Sequence, residues 1–261
     1  MIPLLRSPLL DGVAHGFTTR LGGVSQHPFF SLNLGRGVGD APALVAENRR
    51  RALAALGAPL DAHVEASQVH GRTVAVAGRS ERGRKIEDAD GLVTADPDVV
   101  LAIHAADCAP ILFWDSRRGA VGAVHAGWRG TAAGAAAAGV AKMRGAFGTD
   151  PADLRVAIGP AIGPCHYEVD APVAEALSVH PWAPAVLRPG RAAHWQLDLV
   201  EANRRTLVAA GIPADQIWAS GYCTACHRHL FFSHRGEGLT GRMAGMIRIS
   251  EGSHSARPMP G

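Results

Sequence analysis

Several features that would assign a chain quickly are missing from these 261 residues. No window approaches the roughly 20 consecutive apolar residues that a membrane helix needs. The Ala-rich run after Thr131 is interrupted by Gly134, Gly139 and Lys142, so no membrane partner is expected. The opening MIPLLRSPLLDG has an early proline, a charge at Arg6 and no unbroken apolar stretch of signal-peptide length; export is not expected, and a cytosolic setting is. No long Lys/Arg run occurs, and a formal charge of +3 with a pI near 8.9 describes a mildly basic surface, short of the footprint of a nucleic-acid binder. Four cysteines in a chain this long make no disulfide framework. Kept reduced, Cys108, Cys165, Cys223 and Cys226 are candidates for metal binding or nucleophilic chemistry. Linkers and internal repeats are absent as well, and a single domain spanning 1–261 is expected.

What is present reads as an ordinary globular protein, 47% hydrophobic and 19% charged, able to bury a core on its own. Residues 15–40, HGFTTRLGGVSQHPFFSLNLGRGVGD, are dense in glycine and turn formers and predict short strands with a long shaped loop. Helical periodicity begins at Pro42, with Asp40 near the N-cap, and stops at Gly57. Further helices are predicted at about 131–146, 171–179 and 198–210. Apolar runs at 99–105, 110–114, 119–126, 154–159, 216–220 and 245–249 predict buried strands. Hairpin-sized gaps such as DSRRG favour mixed or antiparallel sheets over strict βαβ alternation, so the class is α/β or α+β, mixed sheets with helices.

Three zinc-type donors stand at strand edges: His70 in QVHG, Cys108 in HAADCAP and His125 in AVHAGWRG. Zinc favours thiolate and imidazole, and three protein ligands leave a fourth position open for chemistry. Their intervals match no recognised zinc spacing, so by spacing alone three separately buried side chains, each satisfied by hydrogen bonds, are the favoured reading. A metal-free alternative makes Cys108 a nucleophile, His125 its base and Asp107 or Asn33 the orienting group of a hydrolase or deamidase. The C-x-x-C-H of Cys223, Cys226 and His227 matches a c-type haem attachment pattern, but the exported context is lacking. As half of a structural zinc site it has no second Cys pair in the sequence, which leaves only Cys165 and scattered histidines to complete it.

The ordered segments HGFTTRLGGVS, SLNLGRGVGD, QVHG, DADGLVTADP, ADCAPILFWD, VHAGWRGT, AIGPAIGPCHYEVD, CT followed by LFFSHR, and TGRMAGMIRI resemble the YfiH-like family over roughly residues 15–249. Its members were long labelled laccase-domain or polyphenol oxidase proteins and are now described as purine nucleoside phosphorylases. The resemblance implies one α/β domain of mixed sheets covered by helices, and Zn2+ held by His70, Cys108 and His125. It implies phosphorolysis of inosine, guanosine, adenosine and S-methyl-5'-thioadenosine, with inorganic phosphate as co-substrate and adenosine deamination as a further activity. Copper can occupy the same Cys/His/His set, although the scattered histidines lack the tandem His-x-His pairs of multi-copper oxidases. A non-enzymatic metal-sequestering protein is the remaining alternative.

Around such a site, Arg20 and Arg129 are candidates to pair with phosphate or to form structural ion pairs. Asn33 is placed to bond ribose or base, or to cap a turn, and Asp107 to orient a ligating histidine. His104 stands where the resemblance implies an aliphatic strand residue; it is read as a local polar contact in preference to a fourth group near the metal.

Overall fold

The computed structural model describes residues 2–250; Met1 and 251–261, the ends of the expected 1–261 domain, lie outside the described residues. The apolar runs become strands buried on both faces, and this dictates a layered architecture. One six-stranded sheet has the order β1 (Leu4–Leu5), β2 (Ala14–Thr18), β15 (Met243–Arg248), β7 (Val100–Ala105), β3 (His63–Ala66), β5 (Lys85–Ile86). The other has the order β14 (Ile217–Ala219), β10 (Leu154–Ile158), β8 (Ala109–Asp115), β9 (Ala120–Ala126), β6 (Gly91–Thr94), β4 (Val74–Val76). Both are mixed: β8 and β9 form an antiparallel hairpin closed over Asp115, whereas β10–β14 and β3–β7 run parallel.

Alternation along β8 and β9 shows how the layers assemble. Leu112, Trp114, Val121 and Ala123 face the other sheet, where they meet Phe17, Leu101, Ile103 and Ile247. Ile111, Phe113, Val124 and Ala126 face the opposite way, onto helices. Those helices are α2 (Trp128–Ala133), α3 (Ala135–Phe147), α4 (Ala171–Ser178), α5 (Ala183–Val186) and α6 (Leu199–Ala209), with a small sheet of β11 (Glu168–Asp170), β13 (His194–Leu197) and β12 (Leu187–Pro189) beside them. On the far side α1 (Pro42–Ala55) packs Ala52 and Leu53 against Val100, Ala102 and Met246. A short α7 (His234–Glu237) precedes β15. The result is a sheet sandwich with a helix layer on each side, the α/β class expected. Among the described residues no helix is long and apolar enough to cross a membrane.

Local differences from expectation have local causes. The helix predicted at 131–146 is two helices, because Gly134 takes a left-handed conformation (φ 82°) that ends one and starts the next. Asp40 does not cap α1: its carboxylate accepts hydrogen bonds from Ser25 Oγ (2.6 Å) and Asn33 Nδ2 (2.9 Å) and shapes the preceding loop instead. Asp198 does cap α6, accepting from Glu201 N at 2.9 Å.

Helix α1 is tied to β3 by a buried ion pair of Arg49 with Glu65, whose carboxylate also faces His63 Nε2 at 3.2 Å and His104 Nε2 at 3.6 Å. His104 is therefore a local polar contact of this cluster. Burial pushes the Glu65 carboxyl up, but the bonds from His104 and His63 and the charge of Arg49 outweigh it and hold the group below the carboxylate range. A depressed folded value means that the stability supplied by Glu65 is present above about pH 4.3 and is lost as pH falls from there. Glu65→Gln should cost roughly 3–5 kcal/mol at neutral pH by stranding Arg49, and should flatten the acid limb of the stability curve, both read by urea denaturation across pH.

Candidate metal centre

The register of sheet two builds the site. Pro110 lies opposite His125 on the β8–β9 ladder, so Cys108, two residues before Pro110, is a diagonal neighbour of His125 on the same face, at the end of the cleft between the sheets. A slip of one residue would turn them to opposite faces. On the other side β6 pairs with β9, and the ladder continues one step to bring Asp90 beside His125, where His125 N donates to Asp90 O at 2.7 Å.

Asp90 then performs a second task. Its fully buried carboxylate accepts the backbone N–H groups of Val69 (3.2 Å), His70 (2.9 Å) and Gly71 (2.6 Å), and it accepts from His125 Nδ1 at 3.0 Å. The QVHG turn is wrapped around this anion with Gln68 and His70 both at positive φ, and His70 is thereby aimed at Cys108. His70 and His125 meet edge to face with ring centroids 5.0 Å apart. One donor atom from each of His70, Cys108 and His125 lies within 4.8 Å of the others, so the three expected residues converge.

The donor set fits a zinc ion on chemical grounds. Burial raises the Cys108 thiol, but the charge and hydrogen bond of His125, with those of His70, overcome it and bring it to about 6. Burial lowers His125, but the Cys108 charge and the Asp90 bond take it to about 9. The two histidines thus favour the thiolate form of Cys108 that a metal requires, and Asp90 holds Nδ1 of His125, which leaves Nε2 as the atom available to a metal. Gly127 completes the cradle: a Cβ there would stand 2.8 Å from Cys108 Sγ and 3.3 Å from His70 Cδ2.

The triad opens on a cavity of about 450 Å³ lined also by Arg36, Arg49, Lys85, His234 and Arg242. A larger groove of about 1040 Å³ runs along α3 and α6, lined by Arg72, Ala138, Trp182 and Arg205, and contains none of the clustered Cys/His donors.

Other sequence candidates fall elsewhere. Arg20 is not in the cavity wall; it pairs with Glu237 (2.8 Å) and donates to Phe30 O and Arg228 O, the structural alternative. Asn33 is fully buried and binds Gly35 N and Arg242 N through Oδ1, so it organises the loop that presents Arg36 and Arg242 and leaves no side-chain atom for substrate. Asp107, expected to orient a histidine, bonds neither ring. At φ 92° it turns the chain into Cys108 while its carboxylate accepts from Thr224 Oγ1 and Arg235 N, each at 2.6 Å. The orienting group is Asp90, unassigned from sequence although its motif DADG was visible. Arg129 is exposed and stacks over Trp128 at 4.2 Å, outside the cavity lining.

A model of the family described as multi-copper polyphenol oxidoreductase laccase matches residues 14–250. The chain belongs to this family. Within the laccase-like family it is 44% identical to "Purine nucleoside phosphorylase YlmD" of Geobacillus stearothermophilus, over 92% of each chain. It is 38% identical to the protein of the same name from Bacillus subtilis, over 92% of this chain and 89% of that one. The crystal structure of YlmD from Geobacillus stearothermophilus superposes with a TM-score of 0.91 at 43% identity, covering 94% of both chains.

Asp90→Asn keeps the shape but removes the negative charge and one of the two acceptor oxygens that organise His70 and His125. It should weaken zinc binding about 10- to 100-fold in a chelator-competition titration, while Asp107→Asn, which touches no histidine, should leave that affinity within about threefold.

Proposed function

We propose that the chain is a single YfiH-like zinc-enzyme domain over 1–261, acting in the cytosol as a purine nucleoside phosphorylase. The proposed substrates are inosine, guanosine, adenosine and S-methyl-5'-thioadenosine, with adenosine deamination as a side activity of the same site. The observation that carries this reading is a Cys/His/His cluster at the floor of a cavity whose walls bear Arg36, Lys85 and Arg242. The names of the relatives support it.

In phosphorolysis a phosphate oxygen forms the bond to the anomeric carbon, the carbon–nitrogen bond breaks, and the purine leaves with its bonding electrons and takes up a proton. His70, Cys108 and His125 would hold Zn2+, which when bound supplies Lewis acidity to a substrate oxygen. Arg242 is set for the phosphate: two backbone carbonyls, of Thr240 and Gly241, hold its Nη1 at 3.0 Å, and Asn33 holds its backbone, leaving Nε and Nη2 for the anion. Arg36 and Lys85 add positive charge at the rim. His234 lines the same cavity with Nδ1 donating to Gly238 O (2.8 Å), which leaves Nε2 out of that bond; in the imidazolium form, with both nitrogens protonated, Nε2 would give the departing purine its proton and be left as the neutral ring.

One observation favours a second reading. Asp90, His125 and Cys108 form an orienter–base–thiolate series, the geometry of a metal-free Cys–His hydrolase or deamidase. His70 separates the two, since it has a place in a metal set and none in that series. Copper satisfies the same donors as zinc, as in a polyphenol oxidase, and metal analysis of the purified protein distinguishes the two ions.

Free-base release from the four nucleosides should require phosphate, and Cys108→Ala should abolish it together with the triad's zinc. Arg242→Gln should raise KM for phosphate about 10- to 100-fold with zinc content unchanged. Release at full rate without phosphate would make the protein a hydrolase. Full activity of the metal-stripped protein would establish the Cys–His series instead.

A further inference from the structure

The C-x-x-C motif finds its second half in space. β10 and β14 run parallel and side by side, and just past their ends Ala161 and Cys223 continue the pairing. The two chain segments that follow therefore leave the sheet together, one carrying Cys165 and His166, the other Cys223 and Cys226. Their donor atoms all lie within 4.8 Å of one another. Sγ of Cys165 is 3.4 Å from Sγ of Cys226, and His166 Nδ1 is 3.3, 3.4 and 3.8 Å from the sulfurs of Cys165, Cys226 and Cys223. A tetrahedron around zinc, with Zn–S near 2.3 Å and Zn–N near 2.0 Å, has edges of about 3.5–3.8 Å, so these separations lie within about 0.4 Å of those of a ligand shell.

Two further features belong to a metal knuckle. The Cys223 sulfur accepts backbone N–H bonds from Gly163 (3.2 Å) and from Cys226, the kind of donor that steadies a ligating thiolate. Three sulfurs and an imidazole nitrogen crowd within 4.8 Å of one another, a spacing at which thiolates need a cation among them. His227, the last residue of the C-x-x-C-H pattern, is not part of the group; its Nδ1 bonds Cys223 O at 3.0 Å.

We propose that Cys165, His166, Cys223 and Cys226 form a second metal site, a structural Zn2+ centre distinct from the His70/Cys108/His125 triad. Four protein ligands close the coordination sphere, so the site holds structure and has no open position for substrate. It clips together the two segments that grip the Asp107 turn: Ile162 N donates to Asp107 O at 2.8 Å, and Thr224 Oγ1 to its carboxylate. The ion thereby steadies the approach to Cys108 from outside the reaction cavity.

Zinc measured by elemental analysis on protein purified under reducing conditions should be about two per chain. Cys165→Ser/Cys226→Ser should hold about one, Cys108→Ala about one, and the triple variant none. Because the double variant can fail to fold, Cys108→Ala loaded with Co2+ provides an independent readout. It should show the intense thiolate-to-cobalt charge transfer and visible bands of a tetrahedral three-sulfur centre. The double variant retaining as much zinc as the wild type, or a Co2+ spectrum lacking those bands, would overturn the proposal. So would an intact mass two hydrogens light in reductant-free protein that still holds its full zinc, since the sulfurs would then be a disulfide. Loss of the triad's zinc alone bears only on the phosphorylase reading.

Discussion

A carboxylate removed from water must have its lone pairs met by donors, and that requirement at Asp90 organises the region around the His70, Cys108 and His125 cluster. The anion is satisfied by three consecutive N–H groups of the QVHG turn and by one ring of the β9 histidine. Those donors can converge only if the turn adopts positive φ at Gln68 and His70 and if β4, β6 and β9 keep their register. One buried charge thus specifies a backbone conformation, a strand alignment and the aim of two imidazoles. A residue that is not one of the three donors sets their geometry.

The sandwich explains why the site lies where it does. Strands β8 and β9 are covered on both faces, by the other sheet and by helices, so they offer no side chain to solvent along their length. Polar donors can survive only at the strand ends, where the layers part and loops from both sheets meet. Cys108 precedes β8, His125 is the penultimate residue of β9, and Arg242 precedes β15 of the facing sheet. The cleft between two sheets is closed by a cysteine, two imidazoles and the side chains of Arg36, Arg49, Lys85 and Arg242.

Much of this was legible from residue patterns. Helix and strand positions followed hydrophobic periodicity because both faces of the central strands are apolar and the helices are bounded by Gly57, Asp198 and Gly211. The three strand-edge donors were visible as residue types. Their assignment as one group came from the family resemblance, because no interval between them is short enough to force proximity. Arg20 and Arg129 drew attention as arginines within motifs, but an arginine's partner is whichever acceptor the fold brings near, and for Arg20 that is Glu237. Asn33 and Arg242 illustrate the converse: an amide at one end of the chain fixes the backbone of a guanidinium at the other.

By itself the sequence determined the fold class, the extents of most elements and the identity of the soft donors, since these depend on local preference and on patterns repeating over a few residues. Only the tertiary structure decided partnership. It joined Asp90 to His125, replaced Arg20 by Arg242 at the cavity, and brought Cys165 and His166 to a C-x-x-C motif that looked incomplete. The physical reason is that hydrogen bonds and coordination select by distances of a few ångströms, and such distances between residues far apart in the chain are set by sheet register and layer packing, which no local pattern records.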